Sequence, residues 1–167
     1  GEPTCRALLR SAPEDFIVDE ELSFTPTGAG EHLLLQVEKI GQNNQYVGKQ
    51  IAEAAGVKSR LVSYAGLKDR HAITRQWFCL PVPIKQDLNY QDWQIEGVRI
   101  LQSVRHQRRL KIGSIKQNHF RLRLRNVSDV AELEQRLQWV RAGVPNYYGE
   151  QRFGRDGGNL QLAEHLF

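Results

Sequence analysis

The order of the periodic segments constrains this chain more than any other feature. Runs of strand length recur along it, at residues 16–22, 32–40, 61–65, 76–82, 98–104 and 120–124, and helical patterns break in at only a few places. There is no strict strand–helix–strand alternation. An α+β fold with a mixed, largely antiparallel sheet and flanking helices is expected. Pro26-Thr27-Gly28-Ala29-Gly30 marks a turn between the first two strands, and a tight turn would pair them antiparallel. Asn43 or Asn44 caps a helix running to about Ala55, with Tyr46, Val47, Ile51, Ala54 and Ala55 on one face and Gly56 ending it. Ser128 or Asp129 caps a second helix to about Ala142, with Val130, Leu133, Leu137 and Val140 inward. A third starts at Asn159. On the strand at 120–124, Phe120, Leu122 and Leu124 point one way and Arg121, Arg123 and Arg125 the other, which predicts an apolar back and a cationic front.

Charge is distributed unevenly along the 167 residues. The first forty are rich in acids. Residues 99–125 carry Arg99, Arg105, Arg108, Arg109, Lys111, Lys116, Arg121, Arg123 and Arg125 and no acid at all. Such a stretch attracts a polyanion, because each phosphate neutralised releases counterions. A solvated basic face with no ligand is the plain alternative. No apolar run is long enough to cross a bilayer, and no basic-then-apolar leader opens the chain. The two cysteines, Cys5 and Cys79, have no metal-like spacing and read as reduced thiols. A cytoplasmic, monomeric protein is expected. The five histidines show no ligand spacing, so no metal is expected; phosphate-loop, dinucleotide and serine-nucleophile signatures are lacking too.

Three segments carry candidate chemistry. In Gly66-Leu67-Lys68-Asp69-Arg70-His71-Ala72, with Thr74, Arg75 and Gln76 beyond, an acid sits at a turn among Lys68, Arg70, His71 and Arg75. Neighbouring cations favour an ionised carboxylate, and an ionised carboxylate on a rigid turn is what nucleophilic or base catalysis by Asp requires. A turn aspartate capping backbone N–H groups is the plain alternative. Lys116-Gln117-Asn118-His119-Phe120 sets an amide beside an aromatic. Asn146-Tyr147-Tyr148-Gly149-Glu150-Gln151-Arg152-Phe153-Gly154 joins aromatics to amides and a guanidinium, a set that stacks on bases and grips phosphates.

With Pro13-Glu14-Asp15-Phe16-Ile17-Val18-Asp19-Glu20 and Gly28-Ala29-Gly30-Glu31-His32, these segments stand in an order and form that resemble the TruD family of tRNA pseudouridine synthases. The resemblance runs from about Leu8 to about Leu162. It implies an enzyme that isomerises a uridine of tRNA, usually uridine 13, with no metal or organic cofactor. It implies Asp69 as the catalytic aspartate, Phe16, Asn118 and Phe120 as substrate contacts, and Lys68, Arg10, Glu20, Gln151 and Arg152 as supporting residues. Members are longer, with a second domain inserted after the Gln-Arg-Phe-Gly motif and later strands completing the catalytic lobe. Residues 1–155 are thus expected to be a catalytic-domain portion with a basic RNA-binding face, and 156–167 the start of a helical lead-in to the inserted domain. Asn43-Asn44 stands where the family commonly has Asn-Thr, and Tyr148 where Phe is usual. A non-catalytic RNA-binding module with the same basic face is the rival reading.

Overall fold

The computed structural model describes residues 5–145, 153 and 158–166. They form β1 (Phe16–Leu22), β2 (His32–Ile40), α1 (Asn44–Ala55), β3 (Ser63–Tyr64), β4 (Ile73–Pro81), β5 (Val98–His106), β6 (Ile115–Leu122), α2 (Val130–Arg141) and α3 (Gly158–Leu166), with short 3-10 turns between some of them. One six-stranded sheet runs in the order β5-β2-β4-β1-β6, with β3 added to β4. Among the described residues, only the β1–β4 pair is parallel. The α+β expectation therefore holds.

The expected β1–β2 hairpin does not form, because β4 lies between the two strands. The connecting loop travels to β5 instead. Gly28 N–H donates to the Arg105 carbonyl at 3.0 Å and Thr27 N–H to His106 Nδ1 at 3.2 Å. Gly30 sits at φ +126°, and a Cβ there would meet the His106 carbonyl oxygen at 2.3 Å. This close approach requires glycine and ties the loop to the far edge of the sheet.

Two layers of apolar side chains cover the sheet. On one face Leu33, Leu35 and Val37 of β2 and Phe78 and Leu80 of β4 pack against Val47, Ile51 and Ala52 of α1. On the other, Leu34, Trp77 and Cys79 pack with Ala65 and Leu110. α1 has the expected ends: the Asn43 side chain accepts from Tyr46 N–H at 2.8 Å, and Gly56 closes it at φ 67°. Its inward face differs by one position, since Ala52 is buried and Ala54 exposed.

Residues 7–127 form one compact unit; residues 1–6 and 128–167 form another. In the second, Ser128 N–H donates to Arg6 O at 2.9 Å, Arg6 N–H returns to Ser128 Oγ at 2.9 Å, and Asp129 caps α2 through Glu132 N–H at 2.9 Å. The apolar stripe of α2 was expected inward, yet Val130, Leu137 and Val140 are exposed. A stripe is buried only where another element covers it, and the described residues of this unit supply no such cover.

Candidate active site

Strand alternation assembles the candidate site on the α1 side of the sheet. Phe16, Val18 and Glu20 share a face of β1, and across the β1–β6 ladder they stand opposite Leu122, Phe120 and Asn118. Across the β1–β4 and β4–β2 ladders the same face carries Thr74 and then Lys39. α1 covers the β2–β4 half of this face. Within the unit of residues 7–127, no described residue packs over the β1–β6 half as α1 does over the other, and Phe120 is 61% exposed, with Leu122 and Leu124 exposed beside it. The expected apolar back of this strand is thus no buried layer but an accessible aromatic surface.

Asp69 lies in the turn before β4, its side chain 38% exposed. Arg10 Nη1 stands 3.9 Å from Asp69 Oδ1. The same guanidinium lies over the Phe16 ring, with Cζ 4.0 Å from the centroid. Phe16 meets Phe120 edge to face, at 6.0 Å between centroids and 69° between planes. A continuous run of contacts therefore leads from Asp69 through Arg10 and Phe16 to Phe120. Arg10 reaches this place from a left-handed backbone, φ 58°, unusual for a side chain of its size. A bridge pins the chain just before it: Leu8 N–H donates to Arg125 O at 2.7 Å and Arg125 N–H to Leu8 O at 2.9 Å. The buried Asp15 carboxylate takes two hydrogen bonds from the Arg125 guanidinium, at 2.7 and 2.8 Å, which hold it below the usual carboxylate range.

The cations flanking Asp69 in sequence do not serve it. Lys68 Nζ bonds Glu20 Oε2 at 2.5 Å, both side chains buried. The other Glu20 oxygen accepts from the Trp77 N–H at 3.1 Å, just beyond the last residue pair of the β1–β4 ladder. Arg70 Nε donates to the Gly41 carbonyl at 2.8 Å. Arg75 points to the opposite face and joins a ladder across four strands: Asp19 to Arg75 at 2.9 Å, Arg75 to Glu38 at 2.8 Å, Glu38 to Arg99 at 2.8 Å. Burial pushes Glu38 up, but the two guanidinium groups outweigh it and hold the carboxyl low.

The basic stretch is also partly neutralised, by the acidic stretch at the start of the chain. Asp15 takes Arg125, Glu21 takes Lys116 and His119, and Glu38 takes Arg99. Hydrogen bonds from Lys116, then His119 and Gln117, hold Glu21 at about 2. Arg105 is turned onto backbone carbonyls, Val82 O at 2.6 Å among them. Arg108, Arg109, Lys111, Arg121 and Arg123 form no salt bridge among the described residues, although Arg123 helps to hold Asp15 low and Arg109 donates to the Arg60 carbonyl at 3.0 Å. Arg108, Arg109 and Lys111 line a groove of about 470 Å³ beside the stacked rings of Phe24 and His106.

The family model for tRNA pseudouridine synthase D (TruD) matches residues 1–165. The chain belongs to the TruD family. Its fold is similar to the crystal structure of a protein described as a tRNA pseudouridine synthase D (TruD) from Methanosarcina mazei, with TM-score 0.75 and 26% sequence identity. The match covers 89% of this chain and 35% of that one, so this TruD chain spans about a third of the length of that relative.

Of the expected site residues, Asp69, Arg10, Phe16 and Phe120 are brought together by contacts, and Glu20 and Lys68 form a buried pair with each other. Asn118 stands opposite Glu20 on the same face. Gln151 and Arg152, with residues 146–150, lie outside the described residues. Among the described residues no cluster of His, Cys, Asp or Glu could hold a metal ion, and no helix is long and apolar enough to cross a membrane. Two residues around the turn were not singled out from sequence for this part, Lys39 and Asn44, the latter read only as one of two candidate helix caps. The signal for Lys39 was its place in phase with Leu33, Leu35 and Val37, on the buried side of β2.

Proposed function

We propose that the protein to which this chain belongs isomerises a uridine of tRNA to pseudouridine, at uridine 13 by family resemblance, with Asp69 as the reacting carboxylate. One observation carries the reading: the run of contacts Asp69–Arg10–Phe16–Phe120, which links a partly exposed carboxylate to an exposed aromatic ring. The reaction breaks the bond from uracil N1 to ribose C1′ and joins C1′ to C5, with loss of the C5 proton and gain of one at N1. No net oxidation occurs. The target base must leave its stack to be reached, and a flipped base needs a surface to rest on. Phe120 supplies one, at about 1–3 kcal/mol per stacked base. Asn118 offers both a donor and an acceptor to a polar edge. Asp69 acts either as a nucleophile on sugar or base or as the base that removes the C2′ proton; both roles require it ionised beside the glycosidic bond, with Arg10 to hold it. Arg108, Arg109, Lys111, Arg121 and Arg123, which form no salt bridge among the described residues, favour the RNA backbone as partner.

The test is tritium release from tRNA carrying 5-tritiated uridine, with the full-length protein, followed by mapping of the modified position. Release of one tritium per tRNA at uridine 13 supports the reading. Tight tRNA binding with no release at any protein concentration favours the binding-module alternative.

A further inference from the structure

The side chains that hold the Asp69 turn lie outside it. Lys39, at the end of β2, is fully buried. Its Nζ donates to the carbonyls of Gln42 at 2.9 Å, Asp69 at 2.8 Å and Lys68 at 3.4 Å. Asn44, buried at the start of α1, reaches the same turn from the other side. Its Nδ2 donates to Gly66 O at 3.0 Å, and its Oδ1 accepts Lys68 N–H at 3.2 Å. Gln76 of β4 adds a bond to the Gly66 carbonyl at 3.3 Å. A buried ammonium is costly unless its donors are satisfied, and here the satisfying oxygens include those of the Asp69 turn. Three elements of the rigid core thus fix the backbone at residues 66, 68 and 69, and the freedom left to the Asp69 carboxylate is that of its own side chain.

Resting on the catalytic reading of Asp69, we propose that Lys39 and Asn44 are positioning residues: a two-sided clamp on the turn backbone that sets where the Asp69 carboxylate stands relative to the ribose of the bound uridine. Neither touches the reacting atoms. Asn44 does more than start a helix, because its amide spans the turn from the residue 66 carbonyl to the residue 68 N–H, a span that needs a donor and an acceptor on one planar group. Burial brings Lys39 down to about 8, with Asp69 opposing and Lys68 adding to the shift. The groups around it are Asp69 and Lys68 of the turn, Glu20 of β1 paired with Lys68, Arg10 paired with Asp69, and the uncharged Asn44, Thr74 and Val98. Once Lys39 loses its proton it has fewer N–H groups than carbonyls to serve.

The experiment uses full-length enzyme and tritium release, with kcat, KM for tRNA and thermal midpoint measured for Lys39→Met, Lys39→Arg, Asn44→Ala and Asp69→Asn. A displaced carboxylate lowers the chemical step, so Lys39→Met and Asn44→Ala are expected to lose roughly tenfold to a hundredfold in kcat with KM little changed. The wild type is expected to lose kcat as pH rises through about 8. Lys39→Arg, whose guanidinium does not titrate there, is expected to keep part of kcat and lose that alkaline limb. Folded Lys39→Met and Asn44→Ala with wild-type kcat, while Asp69→Asn is inactive, would overturn the clamp and leave the catalytic reading standing. Turnover by Asp69→Asn would overturn the catalytic reading itself. If Lys39→Met does not fold, Asn44→Ala and the Lys39→Arg pH profile decide by the same criteria.

Discussion

Lys68→Met should destabilise the sheet beneath the candidate site far more than loss of an exposed lysine would. Lys68 Nζ and Glu20 Oε2 are 2.5 Å apart, and their side chains are 5% and 0% exposed. Removing one partner of a buried pair strands the other charge, at about 3–5 kcal/mol. That is a large share of the roughly 5–15 kcal/mol that holds a typical domain together. The Trp77 amide is a local reporter, since its N–H bonds the other oxygen of Glu20. Hydrogen exchange at that amide in the full-length protein should accelerate by roughly two to four powers of ten in the variant, at about 1.4 kcal/mol per power. Adding Glu20→Gln to Lys68→Met removes the stranded charge while keeping an acceptor for Trp77, and should recover most of the loss. If Lys68→Met changes the exchange by less than about tenfold, the pair behaves as an exposed one, worth about 0–1 kcal/mol, and the reasoning fails.

Three further outcomes are expected. Glu21 should remain ionised in the folded protein down to about pH 2; its folded value lies below its unfolded one, so its contribution to stability is full above the usual glutamate range and lost as pH falls toward 2, and a carboxyl titration followed by NMR that finds an ordinary glutamate value would refute this. Phe120→Ala should weaken tRNA binding by about 1–3 kcal/mol, five-fold to a hundred-fold or so, with little change in thermal midpoint because the ring is exposed; a large fall in midpoint with unchanged binding would make it a packing residue. Cys79 is buried and its thiol is pushed up by that burial, so alkylating reagents should label Cys5 in the native protein and reach Cys79 only after unfolding; native labelling of Cys79 would contradict the packing of Leu34, Trp77 and Leu110 around it.

What could be read from the sequence followed from how local each signal is. The ends of α1 were legible because Asn43 and Gly56 act within one turn of themselves. The strands were legible from their period. Their neighbours were not: whether β2 pairs with β1 or β4 depends on a loop that Gly30 lets settle against His106, far along the chain. Charge was legible as composition and misleading as geometry. Lys68, Arg70 and Arg75 flank Asp69 in sequence but serve Glu20, Gly41, Asp19 and Glu38, whereas the cation that faces Asp69, Arg10, comes from the start of the chain. The acids near the N-terminus and the bases at 99–125 looked like separate fields until the β1–β6 and β2–β5 ladders brought them together. Phe120 was legible as an aromatic of its motif, and its exposure depends on which elements cover the sheet.

The most direct measurement is single-turnover pseudouridine formation, with tRNA affinity measured in parallel, for full-length wild type and Asp69→Asn. Asp69→Asn should bind tRNA within a few-fold of wild type, because the cations and Phe120 remain, and give no detectable product. Product formed by Asp69→Asn at the wild-type rate would contradict this.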